Sequence, residues 1–238
     1  MRSLAPVVSF LFAVVLPSQI VLPNPTPWPL GCPVPSTLAN DTTQPITYMF
    51  CTPTVTDAFG QPVTWGVCAQ AELLLPPGET VTTYWYQTDS FGQQVPPGVY
   101  HVNGVSYVVG AAELGLAPLG EPRIGATRHV ELCATNAAGL VYALGASFSA
   151  NVGIGLGCGV HLPIDFDWLL LESLQNPTVF PDFVGVLDAD GRTNAPAIVL
   201  PSLPILQGIG FHLAFVTLNP AAPCGFERTS SARTVTVQ

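Results

Sequence analysis

The sequence predicts an all-β protein: two consecutive β-sandwich domains after an N-terminal signal segment. Three observations lead there. The 238-residue chain carries 25 Pro and 22 Gly. Pro costs about 3 kcal/mol and Gly about 1 kcal/mol in a helix interior, so long helices are disfavoured. Hydrophobic residues make up 48%, more than a disordered chain carries. Runs rich in β-branched and aromatic residues recur at roughly ten-residue spacing with turn residues between them, the pattern of a sandwich.

The first element is the apolar run behind Arg2. Arg2 supplies a positive start, and residues 4–16 are apolar apart from Pro6 and Ser9. Pro17 and Ser18 then break the run. This is a secretory signal pattern, with cleavage expected after Ser18, so residues 1–18 are read as signal peptide. A buried strand or short core helix is the alternative reading. A membrane span needs roughly 20 apolar residues, so none is expected in the mature chain. Residues 19–36 hold six prolines and read as a Pro-rich arm or linker.

The first sandwich is expected over residues 37–119. "ITYMFC" is a strand, and "TVTDAFGQPVTW" is two strands around a turn at Asp57, Ala58, Phe59 and Gly60. "AELLLPPGE" is a strand stopped by Pro76, Pro77 and Gly78. "TVTTYWYQ" alternates, which puts Val81, Thr83, Trp85 and Gln87 on one face and Thr82, Tyr84 and Tyr86 on the other. "GVYHVNGVSYVV" alternates again. Pro96, Pro97 and Gly98 set a turn before it, because Pro presets φ and Gly tolerates positive φ. Trp85 and Tyr100 are expected in the core, with the Tyr100 hydroxyl satisfied. Tyr84 and Tyr86 then face outward and, with Phe91, form the candidate binding surface.

The boundary is placed near residues 119–122, and the second sandwich at 120–238. Its expected β-rich runs are "RHVELCAT", "LVYALGASFS", "DWLLLESL", "FVGVLDADGRTNAPAIVL", "GFHLAFVTLNP" and "SARTVTVQ". "VLDADGRTNAPAIV" reads as a hairpin with Asp190 and Gly191 at its tip. "FHLAFVTL" suits a central strand. No heptads, low-complexity tract or exact internal repeat stand out.

Charge removes several functions. Charged residues are only 9%, all six basic residues are Arg, and the net charge is -9. A phosphate backbone would be repelled, so nucleic acid is not an expected partner, nor is an anionic membrane surface. "GIGLGCGV" fails the dinucleotide frame, and a Walker lysine is impossible without Lys. Its glycines point instead to close backbone approach. Asp188, Asp190, Asp165 and Asp167 do not make an EF-hand loop. His101, His129, His161 and His212 are scattered without metal-ligand spacing. "GASFSA" misses the nucleophile-elbow pattern, and the glutamates show no paired-carboxylate motif. No catalytic residue, metal or cofactor is expected, and the chain is not read as an enzyme.

Six Cys stand outside any C-x-x-C motif. An even number behind an export signal favours disulfides. Cys51 and Cys68 lie on neighbouring expected strands and are paired, as are Cys158 and Cys224. Cys32 and Cys133 either bridge the arm to the second domain or stay free.

Two resemblances accompany this reading. "DAFGQPVTW", "LLLPPGETVTTYWYQ" and "VPPGVYHVNG" resemble the bacterial intracellular proteinase inhibitor family. The matching positions are Asp57, Gly60, Val63 and Trp65; Leu75, Pro77, Gly78 and Glu79; Trp85; and Pro96, Pro97, Gly98, Tyr100 and Val102. The resemblance implies an immunoglobulin-like module. Such modules also occur in exported proteins without known inhibitory role, and Cys51 and Cys68 depart from the family. "GCGVHLPIDFDWLLL" and the stretch from "GVLDADGR" to "NPAAPCG" resemble a domain common in exported bacterial proteins of unknown function, which implies a second sandwich and extracellular placement. The expected function is non-catalytic: adhesion, envelope scaffolding or ligand binding outside the cell or in its envelope, with a protein or glycan as partner. A proteinase inhibitor and a carbohydrate-binding module are the alternatives.

Overall fold

A computed structural model describes residues 26–110 and 112–238. The expected signal peptide and the first part of the arm, residues 19–25, lie outside the described residues. Over the described residues the protein is mostly β, with several sheets and one α-helix.

The first half contains β1 (Thr26–Trp28), β2 (Val34–Ala39), β3 (Ile46–Cys51), β4 (Val55–Asp57), β5 (Pro62–Thr64), β6 (Cys68–Leu75), β7 (Thr80–Trp85), β8 (Gly98–Val102) and β9 (Val105–Val109). One sheet runs β1-β9-β8-β4-β5, and two further pairs are β2-β7 and β3-β6. "GVYHVNGVSYVV" folds back at Asn103 and Gly104, so β8 and β9 form a hairpin. Both residues have positive φ there, as a two-residue hairpin turn demands.

Alternation sends one side of each strand into a shared core. Val55, Tyr100, Val102, Tyr107 and Val109 of the sheet pack with Trp28, Val34 and Trp85. The Trp85 and Tyr100 ring centroids lie 5.0 Å apart. Tyr100 donates its hydroxyl to the Pro96 carbonyl at 2.8 Å, so ring and polar tip are both satisfied, as expected. The described part of the arm packs on the first half. Thr26–Trp28 is a strand paired in parallel with β9, and Trp28 is fully buried. An indole removes too much apolar area from water to remain on a loose linker.

The second half contains β10 (Gly115–Pro118), β11 (Thr127–Cys133), β12 (Val141–Ser147), β13 (Ile154–Gly157), β14 (Val160–Leu162), α1 (Trp168–Gln175), β15 (Val184–Val186), β16 (Arg192–Thr193), β17 (Ala197–Val199), β18 (Gly210–Leu218), β19 (Phe226–Thr229) and β20 (Arg233–Thr236). One sheet is β10-β11-β16 with β17 also on β11; the other is β15-β12-β18-β19 with β20 also on β18. Val130 and Leu132 from the first sheet share a core with Tyr142, Leu144, Phe211, Leu213 and Phe215 from the second. The apolar run in β18 is central, as expected: β12, β19 and β20 all pair with it.

Two expectations change here. "DWLLLESL" is not a strand. Asp167 accepts from the Leu170 amide at 3.0 Å and caps α1; Leu, Glu and Gln are good helix formers, and Leu169, Leu170 and Ser173 are buried beneath it. "VLDADGRTNAPAIV" is not a two-stranded hairpin. β15 pairs with β12 and β16 with β11, so the turn carries the chain from one sheet to the other. Each strand finds a longer partner than its neighbour across the turn. The second half's first strand, β10, begins at Gly115 and pairs with β11.

The glycines of "GIGLGCGV" build β13 and β14. A Cβ at Gly153, where φ is +77°, would collide with the His161 ring, which is the close approach the glycines suggested. Three disulfides join Cys51 to Cys68, Cys158 to Cys224 and Cys32 to Cys133. The alternative left open for Cys32 and Cys133 resolves to a bridge between the segment after β1 and β11. Among the described residues no helix is long and apolar enough to cross a membrane.

Candidate functional site

Two segments of the first half have nearly the same sequence and build the same turn. Residues 57–61 read D-A-F-G-Q, and residues 89–93 read D-S-F-G-Q. In the first, Asp57 Oδ1 accepts from the amides of Phe59 and Gln61 at 2.9 and 2.8 Å. In the second, Asp89 Oδ1 accepts from Phe91 and Gln93 at 2.8 and 2.9 Å. Each Asp carbonyl receives the amide of Gly60 or Gly92 at 3.0 Å, and each Gly has φ of +77°. Asp supplies the bracing oxygen and Gly the left-handed residue; few other pairs do both without cost. The outcome is a phenylalanine at each tip, Phe59 89% and Phe91 88% exposed.

The two turns are neighbours. Ser90 donates its amide to the Val63 carbonyl at 3.1 Å, and Val63 lies in β5, directly after the first turn. The register places both at one end of the sheet: Asp57 pairs with Tyr100 near the start of β8, and residues 86–97 lead into that start.

Tyr86 sits at the same end, just past β7, and is 63% exposed. Gln87 holds it there. Gln87 is fully buried with φ of 58°. Its Oε1 accepts from the Gly31 amide at 2.8 Å, and its Nε2 donates to the carbonyls of Pro29 and Cys32. The side chain thus ties the segment after β1 to the end of β7, and the left-handed backbone ends the strand at Trp85.

A third turn of this design comes from the second half. Asp188 Oδ1 accepts from the amides of Asp190 and Arg192 at 2.9 and 2.8 Å, and Gly191 has φ of +71°. It faces Tyr86 across a cleft of about 390 Å³ lined by Gly31, Pro33, Tyr86, Thr135, Ala189, Asp190 and Arg192.

Tyr84 corrects the expected surface. Alternation did place it away from Trp85, yet that side is covered by the second half. Tyr84 donates its hydroxyl to Glu131 Oε2 at 3.0 Å. The Arg192 guanidinium lies over its ring, 4.9 Å from the centroid. Arg192 Nη2 in turn donates to Glu131 Oε1 at 2.7 Å, and Glu131 is 1% exposed. Burial, and next the Glu131 charge, push the Tyr84 hydroxyl up to about 12. Burial also raises Glu131, against the opposing pull of Arg192. Tyr84 is therefore a strut between the halves, not an exposed ring. Tyr86 and Phe91 are exposed as expected.

Phe59 was missed as a surface residue, although the D-x-F-G-Q repeat carries it openly. Gln87 was placed on the core face with Trp85, but its clamp on residues 29–32 depends on contacts 55 or more residues apart and has no local signal. No protein-family model matches the chain, and no curated protein does.

Proposed function

We propose that the chain is an exported, non-catalytic binding protein of immunoglobulin-like β-sandwich modules, acting in adhesion, envelope scaffolding or ligand binding through the turn end of its first half. The observation that carries the reading is the pair of Asp-braced turns that hold Phe59 and Phe91 in solvent, at the end where Tyr86 also stands. Single exposed apolar residues are ordinary; three aromatic rings on braced backbone at one end are a binding-surface composition. Rigid aromatic anchors lose little conformational freedom on binding. Three disulfides are compatible with the oxidising environment of an exported protein.

The test compares the purified protein with the triple variant Phe59→Ser, Phe91→Ser, Tyr86→Ala. Both are presented to arrayed glycans, envelope polymers, extracellular matrix proteins and a panel of proteases. The reading expects at least one ligand, bound at least tenfold more weakly by the variant at unchanged melting temperature. No ligand for the wild type, or equal binding by the variant, overturns it.

A further inference from the structure

We infer that the cleft between Tyr86 and the turn at residues 188–192 is a saccharide site, taking a neutral sugar ring. This rests on the reading of the turn end as a binding surface and names one ligand class for it.

The lining has the two kinds of group a sugar needs. A pyranose has an apolar C–H face and a rim of hydroxyls, each both donor and acceptor. Tyr86 offers an exposed ring for the face. Asp190 and Arg192 offer an acceptor carboxylate and a donor guanidinium for neighbouring hydroxyls. Thr135 adds an exposed hydroxyl.

Both charged groups have some freedom to bind. Among the described residues the Asp190 carboxylate accepts no hydrogen bond; only its amide is used, bound to Asp188 Oδ1 at 2.9 Å. Arg192 commits Nε and Nη2 to Glu131 Oε1, at 3.2 and 2.7 Å. Nη1 has no hydrogen-bond partner among the described residues.

The groups are also held in place. Glu131 and the Tyr84 ring fix the guanidinium from behind. The turn is seated so closely on the residue just past β11 that a Cβ at Gly191 would collide with the Ala134 carbonyl. Gln87 fixes the backbone beside Tyr86. Preorganised groups lose less on binding.

Size and charge choose the class. A cleft of about 390 Å³ falls at the small end of ligand sites, roughly 300–1,000 Å³. Its apolar side chains are few, Pro33, Ala189 and Tyr86, which does not suit a lipid chain. An anionic sugar would meet the unpaired Asp190 carboxylate on a chain of net charge -9.

The test is a glycan array of neutral, uronate and sialylated saccharides, followed by calorimetric titration of the best neutral sugar. Tyr86→Ala and Asp190→Asn should each weaken binding tenfold or more with melting temperature unchanged. Retention of no neutral saccharide, preference for acidic ones, or wild-type affinity in both cleft variants overturns the assignment. If a protein or polymer ligand is lost in the triple aromatic variant while no neutral sugar binds, the saccharide site falls and the binding surface stands.

Discussion

Replacing Cys32 and Cys133 together with Ala should cost more stability than opening either other disulfide. The bridge spans a sequence separation of 101. In the chain-entropy account a closed loop of that length stabilises by about 4.7 kcal/mol. The loop is not free along its whole length, because Cys51 and Cys68 already close 17 residues inside it. Removing those from the contour lowers the figure only to about 4.6 kcal/mol, since the dependence is logarithmic. The same relation gives about 4.4 kcal/mol for Cys158 and Cys224, separated by 66, and about 3.1 kcal/mol for Cys51 and Cys68. Packing widens the gap. Cys32 and Cys133 are both 0% exposed in the core cluster with Trp28, Trp85 and Tyr100, so Ala also leaves a small void there. Cys68 by contrast is exposed. Urea unfolding followed by tryptophan fluorescence measures each loss, with the slope checked for constancy. A loss under about 1 kcal/mol for the Cys32 and Cys133 pair, or a larger loss for Cys51 and Cys68, would refute the reasoning.

Two further predictions concern single side chains. Tyr84→Phe keeps the ring under Arg192 and removes only the hydroxyl bond to Glu131, so it should cost about 1.5–3 kcal/mol, the worth of a hydrogen bond to a charged group; a loss indistinguishable from zero by thermal denaturation would mean the strut carries no load. Asp165 accepts from the Ser149 hydroxyl and from the amides of Gly153, Asn151 and Val152, in that order of effect, which holds its carboxyl well below the usual range. Its folded pKa therefore lies below the unfolded one, so its contribution is full above about pH 3.9 and is lost as the pH falls toward the folded value. Asp165→Asn should lower the melting temperature at pH 7, with the gap closing below about pH 4; a gap that stays constant into acid would contradict this.

Much of the first half could be read from the sequence because its signals are local. Alternation places Trp85 inside, and the Pro96-Pro97-Gly98 turn brings the Tyr100 hydroxyl back to Pro96. Neighbouring strands put Cys51 opposite Cys68, directly paired in register. The failures share a different physical origin. "DWLLLESL" has no β-branched residue, and its helical state is decided by a capping aspartate and by three buried positions on one side. A β-rich context concealed a local helix signal. Tyr84 failed for a tertiary reason. Period-two alternation gives the side of a strand, but it does not say whether water or a second layer lies there. Glu131 and Arg192, 47 and 108 residues away along the chain, make that decision.

The three Asp-x-x-Gly turns mark the line between these cases. Each is locally encoded: an Asp oxygen takes two amides and a Gly three residues later takes the left-handed conformation. The expected turn at Asp57–Gly60 and the expected tip at Asp190 and Gly191 are of this kind, and Asp89–Gly92 carries the same local signal. The course of the chain beyond each turn is decided by distant contacts. After Gly60 the chain returns beside its own partner strand, whereas after Gly191 it leaves for the opposite sheet. The residue before the glycine then acquires its role from place. Phe59 and Phe91 project into solvent, while Asp190, in the same position of the third turn, is brought across a cleft from Tyr86. One backbone device presents two aromatic rings and one carboxylate, and the chemistry at each turn is set by which side chain stands at its third position.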